Sequence, residues 1–183
     1  MNFQKWTEKS ISAVQDATNK AQELGNSQIE QEHLLHALLV QENGLIPEIL
    51  KGMGVALGKL LSEVDGRISK FSKVSGGSRT YMSNELEQVL VESEKQAKSM
   101  QDDFVSVEHI FLALLQKSNC AVSEIFREFS ILKDAFLKVL KGIRGNQRVT
   151  NQNPEDTYDV LKKYGSNLTD LARLGKLDPV IGR

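Results

Sequence analysis

Cys120 is the only cysteine in 183 residues. That excludes an intramolecular disulfide and any zinc site built from paired cysteines, and it suits a reducing compartment. Proline occurs 3 times and aromatics make up 6% of the chain, a scarcity that favours helices over a β-sandwich. Charge of one sign is missing too. Lys and Arg total 23, Asp and Glu 24, the net charge is −1, and no long run of one sign occurs. Broad electrostatic attraction to nucleic acid or an anionic membrane is thereby removed. No stretch approaches the roughly 20 apolar residues that a membrane span needs. The first residues, Met1-Asn2-Phe3-Gln4-Lys5-Trp6-Thr7-Glu8, carry no apolar core behind their charge, so they do not form a secretory signal. No G-x-x-x-x-G-K-[ST] loop is present to cradle a triphosphate, so no ATP turnover is expected of these residues. His33 and His36 lie one helical turn apart but lack a convincing third ligand. Their Glu-His-Leu-Leu-His order also differs from H-E-x-x-H, so no metal site is expected. Cys120 reads as a passive thiol and Trp6 as a packing residue. The expectation is a cytoplasmic protein that binds neither nucleic acid nor membrane.

What is present is a repeat. Ile29-Glu30-Gln31-Glu32-His33-Leu34-Leu35-His36-Ala37-Leu38-Leu39 is answered by Val105-Ser106-Val107-Glu108-His109-Ile110-Phe111-Leu112-Ala113-Leu114-Leu115, 76 positions further on. At the same offset Ser83 falls on Thr7, Leu90 on Val14 and Ala97 on Ala21, so caps recur along with core positions. Ile11, Val14, Ala17, Ala21 and Leu24 form one face of a first helix that starts near Thr7 and stops at Gly25-Asn26-Ser27. A buried second helix runs from Glu30 or Gln31 to Gln41, a third from Ile46 to Leu50, and a fourth from Leu57 to about Phe71. Ser72 to Thr80, with Gly76-Gly77-Ser78, reads as a flexible linker. The second unit repeats the plan. Ser83 and Ser106 act as caps, Asp102-Asp103 forms a turn, a short helix contains Ile125, Phe126 and Phe129, and the last helix spans Ile131 to Ile143. The expected fold is all-α: residues 1–145 as two pseudo-repeats of about four helices each (1–71 and 79–145). Neither unit would bury much surface alone. Residues 146–157, rich in Asn and Gln, are expected to be an exposed, flexible connector. Helical turns are expected over Tyr158–Tyr164 and Leu168–Leu174, before an apolar Pro-Val-Ile-Gly turn that needs something further to pack against.

The doubled unit, the segment Lys73-Val74-Ser75-Gly76-Gly77, the run Leu161-Lys162-Lys163-Tyr164-Gly165, and the closing Gly175-Lys176-Leu177-Asp178-Pro179-Val180-Ile181-Gly182-Arg183 together resemble the N-terminal part of the ClpB family. These are bacterial protein disaggregases of the Clp/Hsp unfoldase class. The resemblance covers the whole chain and makes 158–183 the truncated start of a first AAA+ ATPase module. It implies a substrate-recognition domain that weakly binds unfolded or aggregated polypeptides. The full-length protein would be a homohexameric ATPase working with the DnaK chaperone system, with ATP and Mg as cofactors. It implies substrate-binding roles for Thr7, Asp102 and Glu108 beside an apolar groove, with His109 standing where the family often carries Leu. It also implies that Val180 and Ile181 help to wall an adenine pocket completed by the downstream domain. Read from the residues alone, Thr7 is equally a helix cap, Glu108 a first-turn acid favoured by the helix dipole, and Asp102 a turn former. Two alternatives remain at this point: the matching domain of a ClpA- or ClpC-type unfoldase that binds adaptors for a peptidase, and a free-standing helical scaffold.

Overall fold

A computed structural model describes residues 2–74 and 79–154. The helices are α1 (Glu8–Glu23), α2 (Gln31–Val40), α3 (Leu45–Gly52), α4 (Leu57–Ile68), α5 (Asn84–Ser99), α6 (Val107–Gln116), α7 (Cys120–Glu128) and α8 (Lys133–Arg144). The all-α expectation holds, and the offset of 76 reproduces both ends of α1, α2 and α4 in α5, α6 and α8. The Gly76-Gly77-Ser78 stretch, residues 155–157 of the connector, both helical turns expected beyond it, and Val180 and Ile181 with the rest of 158–183 lie outside the described residues.

Local chemistry sets the element ends. Thr7 and Ser83, equivalent positions, each accept a backbone N–H three residues on, from Ser10 and Leu86. Asn119 caps α7 through Val122 N–H at 2.8 Å and starts that helix earlier than its apolar residues indicated. α4 ends at Ile68 rather than near Phe71, because the chain turns there and brings the Phe71 ring onto His33, with centroids 5.3 Å apart. Gly25, at φ 69°, leaves α1 through a left-handed residue, a conformation that glycine adopts without steric cost.

The motif helices α2 and α6 are the buried centres of their units. Leu34, Leu35, Leu38, Ile110, Phe111 and Leu114 are all covered. Phe111 stacks on Phe136 of α8 at 4.7 Å and tilts against Phe126 of α7 at 5.5 Å. Several contacts between the units occur in mated pairs, α1 with α6 and α5 with α2, α3 with α8 and α7 with α4, and α2 and α6 also meet each other. At Gly52 an added Cβ would stand 2.8 Å from Val139 Cγ1, so glycine is what lets α3 approach α8.

The seam also carries a feature absent from the sequence-based expectation. Two-residue strands β1 (Gln28–Ile29) and β2 (Tyr81–Met82) pair in parallel, and Trp6 bridges Val105 in parallel. These are the same contact seen from each repeat, since Trp6 corresponds to Met82 and Ile29 to Val105. Thr7 N–H donates to Val105 O at 2.9 Å, and Ser83 N–H donates to Ile29 O at 3.1 Å. Each repeat lends the segment before its first helix to the segment before its partner's second helix. Trp6 is fully buried there, edge-on to Phe3.

Two further segments differ from expectation. Val74 N–H bonds to Gly25 O at 2.7 Å, so Ser72 to Val74 is held against the first repeat. After α8, the expected exposed connector lies on the body. Val149 is buried, and its carbonyl accepts Asp103 N–H at 2.8 Å. Gln152 O accepts Glu8 N–H at 3.0 Å. The polar composition predicted exposure, and most of these side chains are exposed, but two buried apolar residues, Val149 and Pro154, and the backbone anchor the strap.

Candidate functional site

The site begins with the way α2 and α6 start. In both, the histidine three residues past the cap points back and accepts the cap residue's own N–H: Glu30 N to His33 Nδ1, and Ser106 N to His109 Nδ1, each at 2.8 Å. This is the reciprocal half of a capping box, made by histidine where Glu or Gln is usual. Because Nδ1 must accept, the proton of the neutral ring sits on Nε2. That proton faces Asn26 Oδ1 at 2.8 Å in the first repeat and Asp102 Oδ2 at 2.7 Å in the second. Asn26 and Asp102 are equivalent positions, so the two repeats share one geometry and differ in the charge of the acceptor.

That difference builds a buried charged cluster in the second repeat alone. Arg144, at the end of α8, forks between two carboxylates: Nη2 reaches Asp102 Oδ1 at 2.7 Å and Nη1 reaches Glu108 Oε2 at 3.2 Å. Its first-repeat counterpart is Ile68. Ser106 Oγ bonds Glu108 Oε1 by a short contact, and Val149 N–H donates to Asp102 Oδ1 at 3.0 Å. Burial pushes the Asp102 carboxyl up, but bonds from His109, Arg144 and the Val149 N–H, together with the charge of Arg144, outweigh it and hold the pKa down at about 2. Asp102 is therefore ionised at neutral pH. Glu108, in the first turn of α6, also gains from the positive end of that helix.

The structure brings three of the sequence-derived site residues, Asp102, Glu108 and His109, into this one cluster. Thr7 joins its edge through the backbone of Val105, where Ser10 Oγ also donates at 2.8 Å. None of the four side chains stands open to a ligand: Thr7, Glu108 and His109 are fully covered, and Asp102 is 9% exposed. His109 contributes a cap bond and a bond to Asp102, rather than an apolar groove wall. His33 has both ring nitrogens engaged, and burial, then Lys20 and His36, lower its pKa to about 4. His36 faces Asp65 instead, at 3.2 Å. Among the described residues no group of three or more His, Cys, Asp or Glu could hold a metal ion. No helix among them is long and apolar enough to cross a membrane.

Over the cluster lies an open cleft of about 350 Å³. Met100, from the end of α5, and Leu137 and Leu140, from α8, give it an apolar lining. Arg144, whose guanidinium holds the two carboxylates, lines it as well. Lys141 and Arg148 are cationic members of its lining, and Gly145, Asn146 and Gln147 complete it. Sequence reading missed Arg144, Gln31 and Val149. Gln31, fully buried, ties the repeats together: its amide donates to Glu85 O at 3.0 Å and Lys117 O at 2.8 Å, and its oxygen accepts Asn119 N–H at 2.8 Å. A signal for part of the cluster was available, since Asn26…His33 and Asp102…His109 share a seven-residue spacing in both repeats. Arg144 and Val149 carried no such signal, because each depends on how α8 and the strap return to the α5–α6 turn.

A family model described as the Clp repeat (R) N-terminal domain matches residues 5–129. The chain is 43% identical, over 188 aligned residues, to chaperone protein ClpB of Nitratidesulfovibrio vulgaris, an alignment covering 100% of this chain and 22% of that protein. The chain thus spans about a fifth of the length of the curated relatives it matches. In three dimensions it resembles the Hsp104 N-terminal domain from Candida albicans, with a TM-score of 0.74 at 24% identity over 83% of this chain and 99% of that one. It also resembles a ClpV N-domain solved in complex with a VipB peptide, with a TM-score of 0.58 at 21% identity over 75% of this chain and 88% of that one.

Proposed function

The chain belongs to the Clp repeat N-terminal domain family, and on that premise we propose that it is the polypeptide-receiving domain of a ClpB-type disaggregase. It takes up exposed apolar segments of unfolded or aggregated proteins in the cleft lined by Met100, Leu137 and Leu140. The observation that carries this reading is the cleft itself, an apolar recess at the surface directly above the cluster that holds Asp102 and Glu108. Clefts of this kind, mostly apolar with a few fixed polar groups, are where ligands bind. The ClpV N-domain, of the same fold, is known with a bound peptide, which supports the reading.

The role is capture, not chemistry. Handing a segment on to a threading pore requires fast release, hence weak binding. ATP and Mg, hexamer assembly and cooperation with the DnaK system would belong to the full-length protein. The experiment is a fluorescence-anisotropy titration of a labelled, permanently unfolded S-alkylated protein with the 183-residue chain. Saturable binding is expected, weakened about tenfold by Leu137→Gln at unchanged helical content, the effect of removing one apolar contact. Equal affinity of the variant and the wild type would overturn the cleft assignment.

A further inference from the structure

Four of the nine residues lining the cleft, Gly145, Asn146, Gln147 and Arg148, come from the strap after α8 rather than from a helix. This strap is held at defined points. Its Gln147 O accepts Arg144 Nη2 at 2.9 Å. Val149, fully buried, gives its N–H to Asp102 Oδ1 at 3.0 Å and takes Asp103 N–H on its carbonyl at 2.8 Å. Arg148 bonds Gln101 by a short contact, and Gln152 O takes Glu8 N–H at 3.0 Å. The anchors lie on the α5–α6 turn, on the end of α8 and on the start of α1, so both repeats hold the strap.

Resting on the reading that the cleft receives polypeptide, we propose that the strap is a working wall of the binding site, with Val149 and Asp102 as the positioning residues that keep it closed. Asp102 acts on capture without touching the captured chain. Its Oδ1 atom holds both Arg144, beneath the cleft, and the Val149 amide, at the end of the wall. A buried carboxylate can thereby govern a surface event. A chain with the strap lifted retains the Met100–Leu137–Leu140 floor but loses one side of the recess. Binding and strap docking are then linked, and the link is reciprocal: an occupied cleft favours the docked strap, and a docked strap favours occupancy.

Two readouts test this on the 183-residue chain, with an S-alkylated unfolded protein as the probe. Val149→Asp places a charge in a buried position on the strap and substitutes none of the cleft residues. If it lowers the docked fraction to about one tenth, affinity falls about tenfold, while Val149→Ile retains wild-type affinity. In the wild type, saturating probe is expected to slow hydrogen exchange at the Val149 amide severalfold. A Val149→Asp variant that is less stable but binds as tightly, with no added protection at Val149, overturns the strap proposal and leaves the cleft reading intact. Failure of the wild-type chain to bind the probe overturns both.

Discussion

Asp102→Asn converts the second repeat's buried acceptor into the residue that the first repeat carries at Asn26. The side chain keeps its shape and can still accept from His109 Nε2, as Asn26 accepts from His33. It loses the charge that faces Arg144 at 2.7 Å, and one of its two terminal atoms becomes a donor among the donors Arg144, His109 and Val149 N–H. Breaking a buried ion pair from one side costs about 3 kcal/mol. The pH dependence supplies a second, independent magnitude. The Asp102 pKa is depressed from 3.8 to about 2. A depressed carboxyl stabilises the fold above its unfolded pKa and loses that contribution as pH falls through its folded pKa. The contribution is about 2 kcal/mol at pH 7, with about 1 kcal/mol of it gone by pH 3. The asparagine variant has no such titration, so the stability gap to wild type should narrow by about 1 kcal/mol between pH 7 and pH 3. His33 adds its own acid sensitivity. Its pKa is lowered from 6.5 to about 4, so the unfolded chain takes up that proton first and stability falls as pH drops from 6.5 towards 4. This affects variant and wild type alike and cancels in the gap. The assay is urea unfolding at pH 7, 5 and 3, followed by the fluorescence of Trp6, the sole tryptophan, buried at the seam. A loss below about 1 kcal/mol at pH 7, or a gap that stays constant down to pH 3, would refute the reasoning.

Two smaller perturbations separate capping and seam from capture. Thr7→Ala removes the acceptor for Ser10 N–H at the start of α1 and should cost about 1 kcal/mol by urea unfolding. Affinity for unfolded protein should be unchanged by anisotropy, since the side chain is fully buried. Gln31→Leu leaves the Asn119 N–H without its acceptor and takes a donor from the Glu85 and Lys117 carbonyls and should cost about 2 kcal/mol or more. The Trp6 emission should shift at lower urea than in wild type, because the seam is where the two repeats share their burial.

The duplicated plan was legible because it rests on local signals. The apolar spacing of α1 and α5 and the Thr7 and Ser83 caps each act within a few residues of themselves. The burial of the motif helices followed from apolar residues on more than one side of the shared motif. The candidate site was legible only in its membership. Asp102 and His109 do meet directly, but Glu108 is joined to Asp102 through Arg144, which lies more than 30 positions away from all three and has Ile68 as its repeat counterpart. The direction of His109 was hidden for a different reason: a histidine in an apolar helix looks like core or ligand until its Nδ1 is seen to accept the Ser106 N–H, a capping role in which Glu or Gln is usual. The strap was misjudged because its many Asn and Gln side chains are indeed exposed, and the docking rests on Val149 and on backbone bonds that composition does not encode. The parallel β1–β2 pairing was too short to leave a period of its own.

The central claim is that captured polypeptide sits in the cleft between α8, the end of α5 and the strap, and that the buried cluster supports it from below. Side-chain methyl and backbone NMR of the 183-residue chain, titrated with an S-alkylated unfolded protein, tests this most directly. The largest shift changes are expected at Met100, Leu137, Leu140 and the Asn146–Arg148 backbone, with smaller ones at Val149. Shifts centred elsewhere on the surface, with these residues unmoved at saturation, would contradict it.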